Sequence, residues 1–221
     1  DFSGEVVTIG EKPTLAINNP AASMRMAMAE ALTNMVSAPI VGMDQIQVSA
    51  NWMAASGENI EDLALRKGVE ALSNFSIDLG ISIPVGKDSL SMRTKWQESN
   101  DQYVVKSPLS GVITAMAPVD DVRDAVTTLL KTDVDSQLVL IKLDDKNRLG
   151  GSIFSEVYKQ DVQETPDVDS AKLFIKMFDL TQSLIQEGSI DALHDVSDGG
   201  LVSALCELAF TARTGISICL L

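Results

Sequence analysis

The sequence predicts an α/β unit followed by a smaller α+β unit, and three observations predict it. Through the first half of the chain, runs in which apolar residues alternate take turns with runs in which they recur at helical spacing. Glycine and proline fall at the junctions between those runs, where a chain changes direction. A β-prone stretch, "QLVLIKL", then runs into the charged, glycine-containing turn "DDKNRLGGS", after which the pattern changes. The division falls at Lys146, giving units 1–146 and 147–221.

Each element follows in order. "TLAINN" reads as a short strand, with Asn19 as N-cap and Pro20 at the first helical position of "AASMRMAMAEALTNMV", a run of strong helix formers. "QIQVSANW" alternates as a strand. "NIEDLALRKGVEALSNFSIDLG" carries Ile60, Leu63, Ala64, Val69, Leu72 and Phe75 at helical spacing and stops at Gly80. "ISIPV" is a strand, "GKDSLSM" a turn, "RTKWQESNDQYVVK" a polar-tipped hairpin, and "LSGVITAMAPV" a buried strand closed by proline. Such alternation predicts a sheet with helices on one face. The second unit holds "IFSEVYKQ", the amphipathic helix "DSAKLFIKMFDLTQSLIQEG", the segment "SIDALHDVSDGGL", the helix "LVSALCELAFTARTG" and a final strand, "ISICLL".

Composition narrows the function. A net charge of -14 and a pI near 4.3 argue against nucleic-acid binding, which needs clustered Lys and Arg. An acidic chain can still bind a nucleotide if a cation or a helix N-terminus receives the phosphates. Cys206 and Cys219 are too few for a disulfide framework or a zinc site, and no run of about 18 apolar residues spans a membrane, so a cytoplasmic location is expected. The chain opens on "DFSGEV" without Met and closes on an apolar run, which suggests a piece of a longer polypeptide, truncated at both ends.

Four clusters could carry chemistry. Glu30 and Asn34 lie four apart, so a carboxylate and an amide oxygen share one face of a small-residue helix, a set suited to Mg2+; an exposed polar face is the alternative. In "HDVSDGGL", Ser197 or Asp198 could simply cap the following helix, with Gly199 and Gly200 easing the turn. The same geometry would let the helix start, Ser197 and the two glycines take a phosphate while Asp195 reaches its metal. His194, the only histidine, reads as a hydrogen-bonded structural residue. Lys87, Asp88 and Ser89 follow a strand and could hold a phosphate or ribose, although the spacing is not that of a P-loop and turn chemistry is the plainer reading. "RLGGSIF" is open between a helix-entry turn and a close approach to a ligand. Met24, Met26, Met28 and Met35 read as core filling, and Cys206 as a buried thiol.

Taken in order, "AASMRMAMAEALTNMV", "VSANWMAASGE", "IPVGKDSLSM", "SPLSGVITA", "LGGSIFSEVY" and "HDVSDGGLVSALCELAF" resemble the long phosphoribosylformylglycinamidine synthases over essentially the whole chain. The resemblance implies an aminoimidazole ribonucleotide synthetase-like two-unit fold, with a nucleotide cleft between the units, from the second of two tandem halves. It implies Glu30, Asn34 and Asp195 as Mg2+ ligands, Ser197 as a phosphate contact, and ATP or ADP as the nucleotide, either turned over or held as a structural auxiliary. A further aspartate ligand would precede "GEVVTIG", outside the chain. The parent enzyme would use ATP to activate an amide oxygen of formylglycinamide ribonucleotide, with ammonia from glutamine displacing phosphate. Its sister half and glutaminase domain are the implied partners, and the catalytic residues are not identified. A noncatalytic packing module of that enzyme and a related kinase or synthetase are the competing readings.

Overall fold

The computed structural model describes residues 2–132 and 135–219. The first unit is built on a four-stranded sheet in the order β1-β6-β2-β3: β1 (Gly4–Glu11), β2 (Gln47–Met53), β3 (Ser82–Ser89) and β6 (Ser110–Val119). β6 runs antiparallel to both β1 and β2, whereas β2 and β3 are parallel, joined by the crossover helix α3 (Asn59–Leu79). β4 (Arg93–Glu98) and β5 (Asp101–Lys106) form the expected hairpin, with Trp96 stacked on Tyr103.

One face of the sheet carries the core. Val48, Ala50, Ile113, Ala115 and Ala117 point from alternate strand positions onto α2 (Pro20–Met35) and α3. The N-cap of α2 is Asn19, whose side chain accepts from the Ala22 N–H at 3.1 Å, and Pro20 opens the helix. The alanines of α2 have a packing reason. A Cβ on Gly10 of β1 would collide with the Ala27 carbonyl and the Ala31 nitrogen, so helix and strand approach backbone to backbone. Met24, Met28 and Met35 are fully buried, whereas Met26, also read as core filling, is only partly buried. α3 ends at Gly80, which takes the left-handed conformation with φ 71°.

The second unit contributes α4 (Ile153–Val157), α5 (Ala171–Gln186) and α6 (Gly200–Ala212). α5 lays Phe174 and Phe178 into the core of the first unit, Phe174 meeting Phe75 of α3 edge to face at 6.2 Å. Burying each ring contributes roughly 2–3 kcal/mol. Gln182 locks this docking: its side chain accepts from the Ile40 N–H at 3.1 Å and donates to the Val36 and Ala38 carbonyls at 2.7 and 3.0 Å. A second tie is the paired hydrogen bond from Arg25 on α2 to Asp167, at 2.7 and 2.5 Å.

Several expectations need correction. "TLAINN" is not a strand; Pro13–Asn18 form a short helix, α1, because Pro13 presets the backbone for a first turn. The first strand is β1, one segment earlier. "GKDS" is not a turn but the second half of β3, continuing in register with Asn51, Trp52 and Met53. "QLVLIKL" forms no strand; Leu138 to Leu143 are exposed, and no neighbouring strand among the described residues receives their backbone groups. The expected closing strand is likewise absent over residues 216–219, and Leu220 and Leu221 lie outside the described residues. Cys206 is exposed rather than buried, since α6 buries only Ala204 and Leu208.

Candidate functional site

The site grows from one carboxylate. Glu30 sits on α2 where the helix passes the free edge of β1. Its Oε2 accepts from the Glu11 N–H at 2.8 Å. One turn on, Asn34 donates its side-chain amide to the Ile9 carbonyl at 3.1 Å. The two residues that share a helix face therefore satisfy adjacent backbone groups of an edge strand, which would otherwise be left to solvent.

The other oxygen of Glu30 reaches across to the second unit. Ser197 donates its hydroxyl to Glu30 Oε1 at 2.6 Å, and Lys12 forms a short ion pair with the same oxygen. Lys12 also donates to Ser197 Oγ at 3.0 Å and to Asp198 Oδ2 at 3.3 Å. Only 9% of the Lys12 side chain is exposed, so this ammonium is desolvated and depends on those three oxygens. Its backbone is pinned by the Ser23 hydroxyl, which donates to the Lys12 carbonyl at 2.6 Å. Burial pushes the Glu30 carboxyl up, but hydrogen bonds from Lys12, Ser197 and the Glu11 N–H, with the Lys12 charge, hold it below the ordinary carboxylate value.

The approach to α6 is set by two glycines. Gly199 and Gly200 take φ of 86° and 68°, a region that other residues enter at a cost, and the Gly200 N–H bonds back to the Ser197 carbonyl at 3.0 Å. No side chain caps α6. Ser197 and Asp198, read as possible caps, instead face Lys12, which leaves the helix start without a side-chain acceptor.

The remaining sequence-predicted residues divide. Asp195 lies two residues before Ser197, with Oδ1 3.3 Å from His194 Nδ1. His194 is held as a structural residue: Nδ1 meets the Asp195 carbonyl at 2.7 Å, and Nε2 lies 2.9 Å from Glu207. Lys87, Asp88 and Ser89 occupy the exposed end of β3. Lys87 and Ser89 share the sheet face that carries no helix, bonded to each other at 2.8 Å, and Asp88 points to the opposite face. The register aligns Lys87 with Asn51, Val112 and Glu11, three strands across, or roughly 14 Å. "RLGGSIF" is a helix entry: Gly151, with φ 74°, backs onto Leu15, and Ser152 caps α4 by accepting from the Ser155 N–H at 3.3 Å.

The structure thus brings together Glu30 and Ser197 and adds Lys12, which sequence reading missed. Its signal was slight: in "GEKPT" a lysine holds the N-cap position before Pro13, where Ser, Thr, Asp or Asn is the usual choice. As donors for a hard cation, the Glu30 carboxylate and the Asn34 and Asp195 oxygens have the right chemistry, and Glu30 already stabilises a positive charge. Among the described residues, no three His, Cys, Asp or Glu side chains gather closely enough to hold a metal ion.

Comparison with known proteins agrees with this architecture. Residues 1–118 match the family model described as FGAR-AT PurM_N-like domain, and residues 134–220 match the C-terminal domain of AIR synthase related proteins. Among solved structures, Thermotoga maritima PurL complexed with FGAR superposes with a TM-score of 0.67 at 12% identity, over 96% of this chain and 32% of that one. The PurLQS structure from Thermotoga maritima gives 0.63 at 11% identity, covering 96% and 30%. The hydrogenase maturation protein HypE gives 0.54 at 14% identity, covering 96% and 60%. At such identities the likeness is one of fold, and the chain spans about a third of the length of the Thermotoga maritima chains. With more than half of its residues matched by the first model, the chain belongs to the FGAR-AT PurM_N-like family, followed by an AIR synthase related C-terminal domain.

Proposed function

We propose that this chain forms a nucleotide cleft of a formylglycinamide ribonucleotide amidotransferase, the ATP-dependent ligase that makes an amidine in purine biosynthesis. The observation that carries the reading is the bond between Glu30 and Ser197, 167 residues apart, at the seam of two units. The Thermotoga maritima PurL structures of similar fold include complexes with FGAR, ATP and ADP, which supports the same ligand class here.

In this reading the uncapped start of α6, the Ser197 hydroxyl and the flexible backbone at Gly199 and Gly200 receive the phosphates. Glu30, Asn34 and Asp195 would hold Mg2+, which when bound supplies positive charge against the phosphoryl oxygens. Lys87, Asp88 and Ser89, at the far end of the cross-strand row from Glu11, are the proposed contacts to the formylglycinamide ribonucleotide. The division into two units belongs to the same proposal; the break between the matched stretches 1–118 and 134–220 supports it without fixing the junction at Lys146. A cytoplasmic location and the partner domains are further parts of the proposal. The helix-free face of the sheet exposes Val7, Ile9, Val85 and Met116, and α6 exposes Val202 and Phe210, apolar surface suited to a sister half and neighbouring domains of a parent polypeptide.

A second reading has its own observation. Glu30 and Asn34 each satisfy a backbone group of the β1 edge, a structural role that a packing module without nucleotide would also use. Calorimetric titration with Mg-ATP separates the two. The nucleotide reading expects saturable micromolar binding that disappears in the Glu30→Ala, Asp195→Ala double variant. Absence of binding by the unaltered chain supports the packing module, and binding retained in the double variant removes these residues from the site.

A further inference from the structure

We propose that Lys12 is the resident counter-cation of this cleft, competing with a divalent ion for Glu30, so that the ion gains its ligand only as the ammonium swings away. This deepens the reading above and rests on Glu30 as a metal ligand.

The argument is one of occupancy. Glu30 Oε2 is committed to the Glu11 N–H at 2.8 Å, and Oε1 takes both Lys12 and the Ser197 hydroxyl, the latter at 2.6 Å. A hard divalent ion binds carboxylate oxygen at about 2.1 Å, so it would need the space held by the Lys12 ammonium, and two cations on one oxygen repel. One of them must leave.

The surroundings give the lysine a way out. Its carbonyl is fixed by Ser23 at 2.6 Å, so the backbone stays, while the four-carbon stem keeps its rotational freedom. The third acceptor, Asp198 Oδ2 at 3.3 Å, belongs to a carboxylate that is largely exposed, at 66% of its side-chain area. A short rotation toward Asp198 would carry the charge from the buried side of the seam to its mouth. Ser197 accepts from Lys12 and donates to Glu30, so the same movement would free a lone pair on its oxygen while its hydroxyl proton stays on Glu30. The exchange also keeps Glu30 neutralised before and after, so that no buried carboxylate is left alone.

The test uses Mn2+ alone, without nucleotide, read by electron paramagnetic resonance of the free ion. Lys12→Met should bind Mn2+ at least tenfold more tightly than the unaltered chain, and adding Glu30→Gln to it should abolish the gain. Should Lys12→Met fail to fold, amine labelling of the unaltered chain with mass spectrometry decides. Mn2+ should raise the labelling rate at Lys12 at least threefold and leave the exposed Lys172 and Lys176 unchanged. Unchanged or weaker Mn2+ binding by a folded Lys12→Met, or Lys12 labelling that Mn2+ leaves unchanged or slows, overturns the proposal. The outcomes are separable from the nucleotide reading: Mg-ATP binding with no effect of Lys12→Met on Mn2+ sinks only the competition. Tighter Mn2+ binding with no Mg-ATP binding sinks only the nucleotide.

Discussion

Glu30 concentrates the chemistry of the molecule in one side chain. It ties the edge of β1, the start of α1 and the loop before α6 to a single carboxylate, and the hydrogen bonds it accepts hold its pKa below the ordinary value despite burial. A depressed carboxyl contributes stability that is present above its unfolded value, near 4.3, and is lost as pH falls through the lower folded value. Glu30→Gln should therefore cost about 2 kcal/mol at neutral pH, through the lost charge-assisted bonds. That gap should narrow as pH falls below the unfolded value, where the depressed carboxyl begins to lose its advantage. Urea unfolding of both proteins at pH 7 and pH 3.5 checks it; a gap that stays constant with pH would deny the carboxylate its role. At this scale the sequence singles out Glu30 by its four-residue spacing from Asn34 and Ser197 by its place at a helix entry, but that the two meet is seen only in the fold. Lys12 is not singled out, since a lone lysine after a strand resembles any solvated charge until a fold buries it.

At the level of elements, the helices were more legible than the strands. α2, α3, α5 and α6 follow from apolar spacing, with Asn19 and Gly80 marking the start of α2 and the end of α3. β1 escapes the pattern reading, and the end of β3 reads as a turn because Gly, Lys, Asp and Ser are turn residues by propensity. Pairing with Asn51 to Met53 of β2, on the far side of a crossover, overrides that preference. The docking of α5 was legible as an amphipathic pattern, but its partner was not. Gln182 makes three hydrogen bonds to the backbone of residues 36–40, and no local pattern marks a glutamine for that task. Gln182→Ala would strand one N–H and two carbonyls in a buried seam, at a cost of about 2–3 kcal/mol. Gln182→Glu should cost at least as much, because a carboxylate cannot donate to Val36 and Ala38. Chemical denaturation measures both, and a loss under about 0.5 kcal/mol in either would show that water replaces the side chain.

As a whole, the molecule is a one-sided sheet with a second unit strapped across its helices. The strap is polar, through Arg25 with Asp167 and through Asn18, which donates to the Val162 carbonyl at 3.1 Å; the wedge is apolar, through Phe174 and Phe178. The alternation of strands and helices made the sheet and its covered face legible. The unpaired stretch at residues 138–143 could not be foreseen, because strand propensity says nothing about whether a neighbour exists. This arrangement sets Ser197 against Glu30, the contact on which the functional reading depends. Hydrogen exchange with mass spectrometry, with and without Mg-ATP, tests that reading most directly. The account predicts protection appearing together in peptides covering residues 8–34 and 193–204, with the hairpin β4–β5 unaffected. Protection in only one of those two stretches, or in neither at saturating nucleotide, would contradict it.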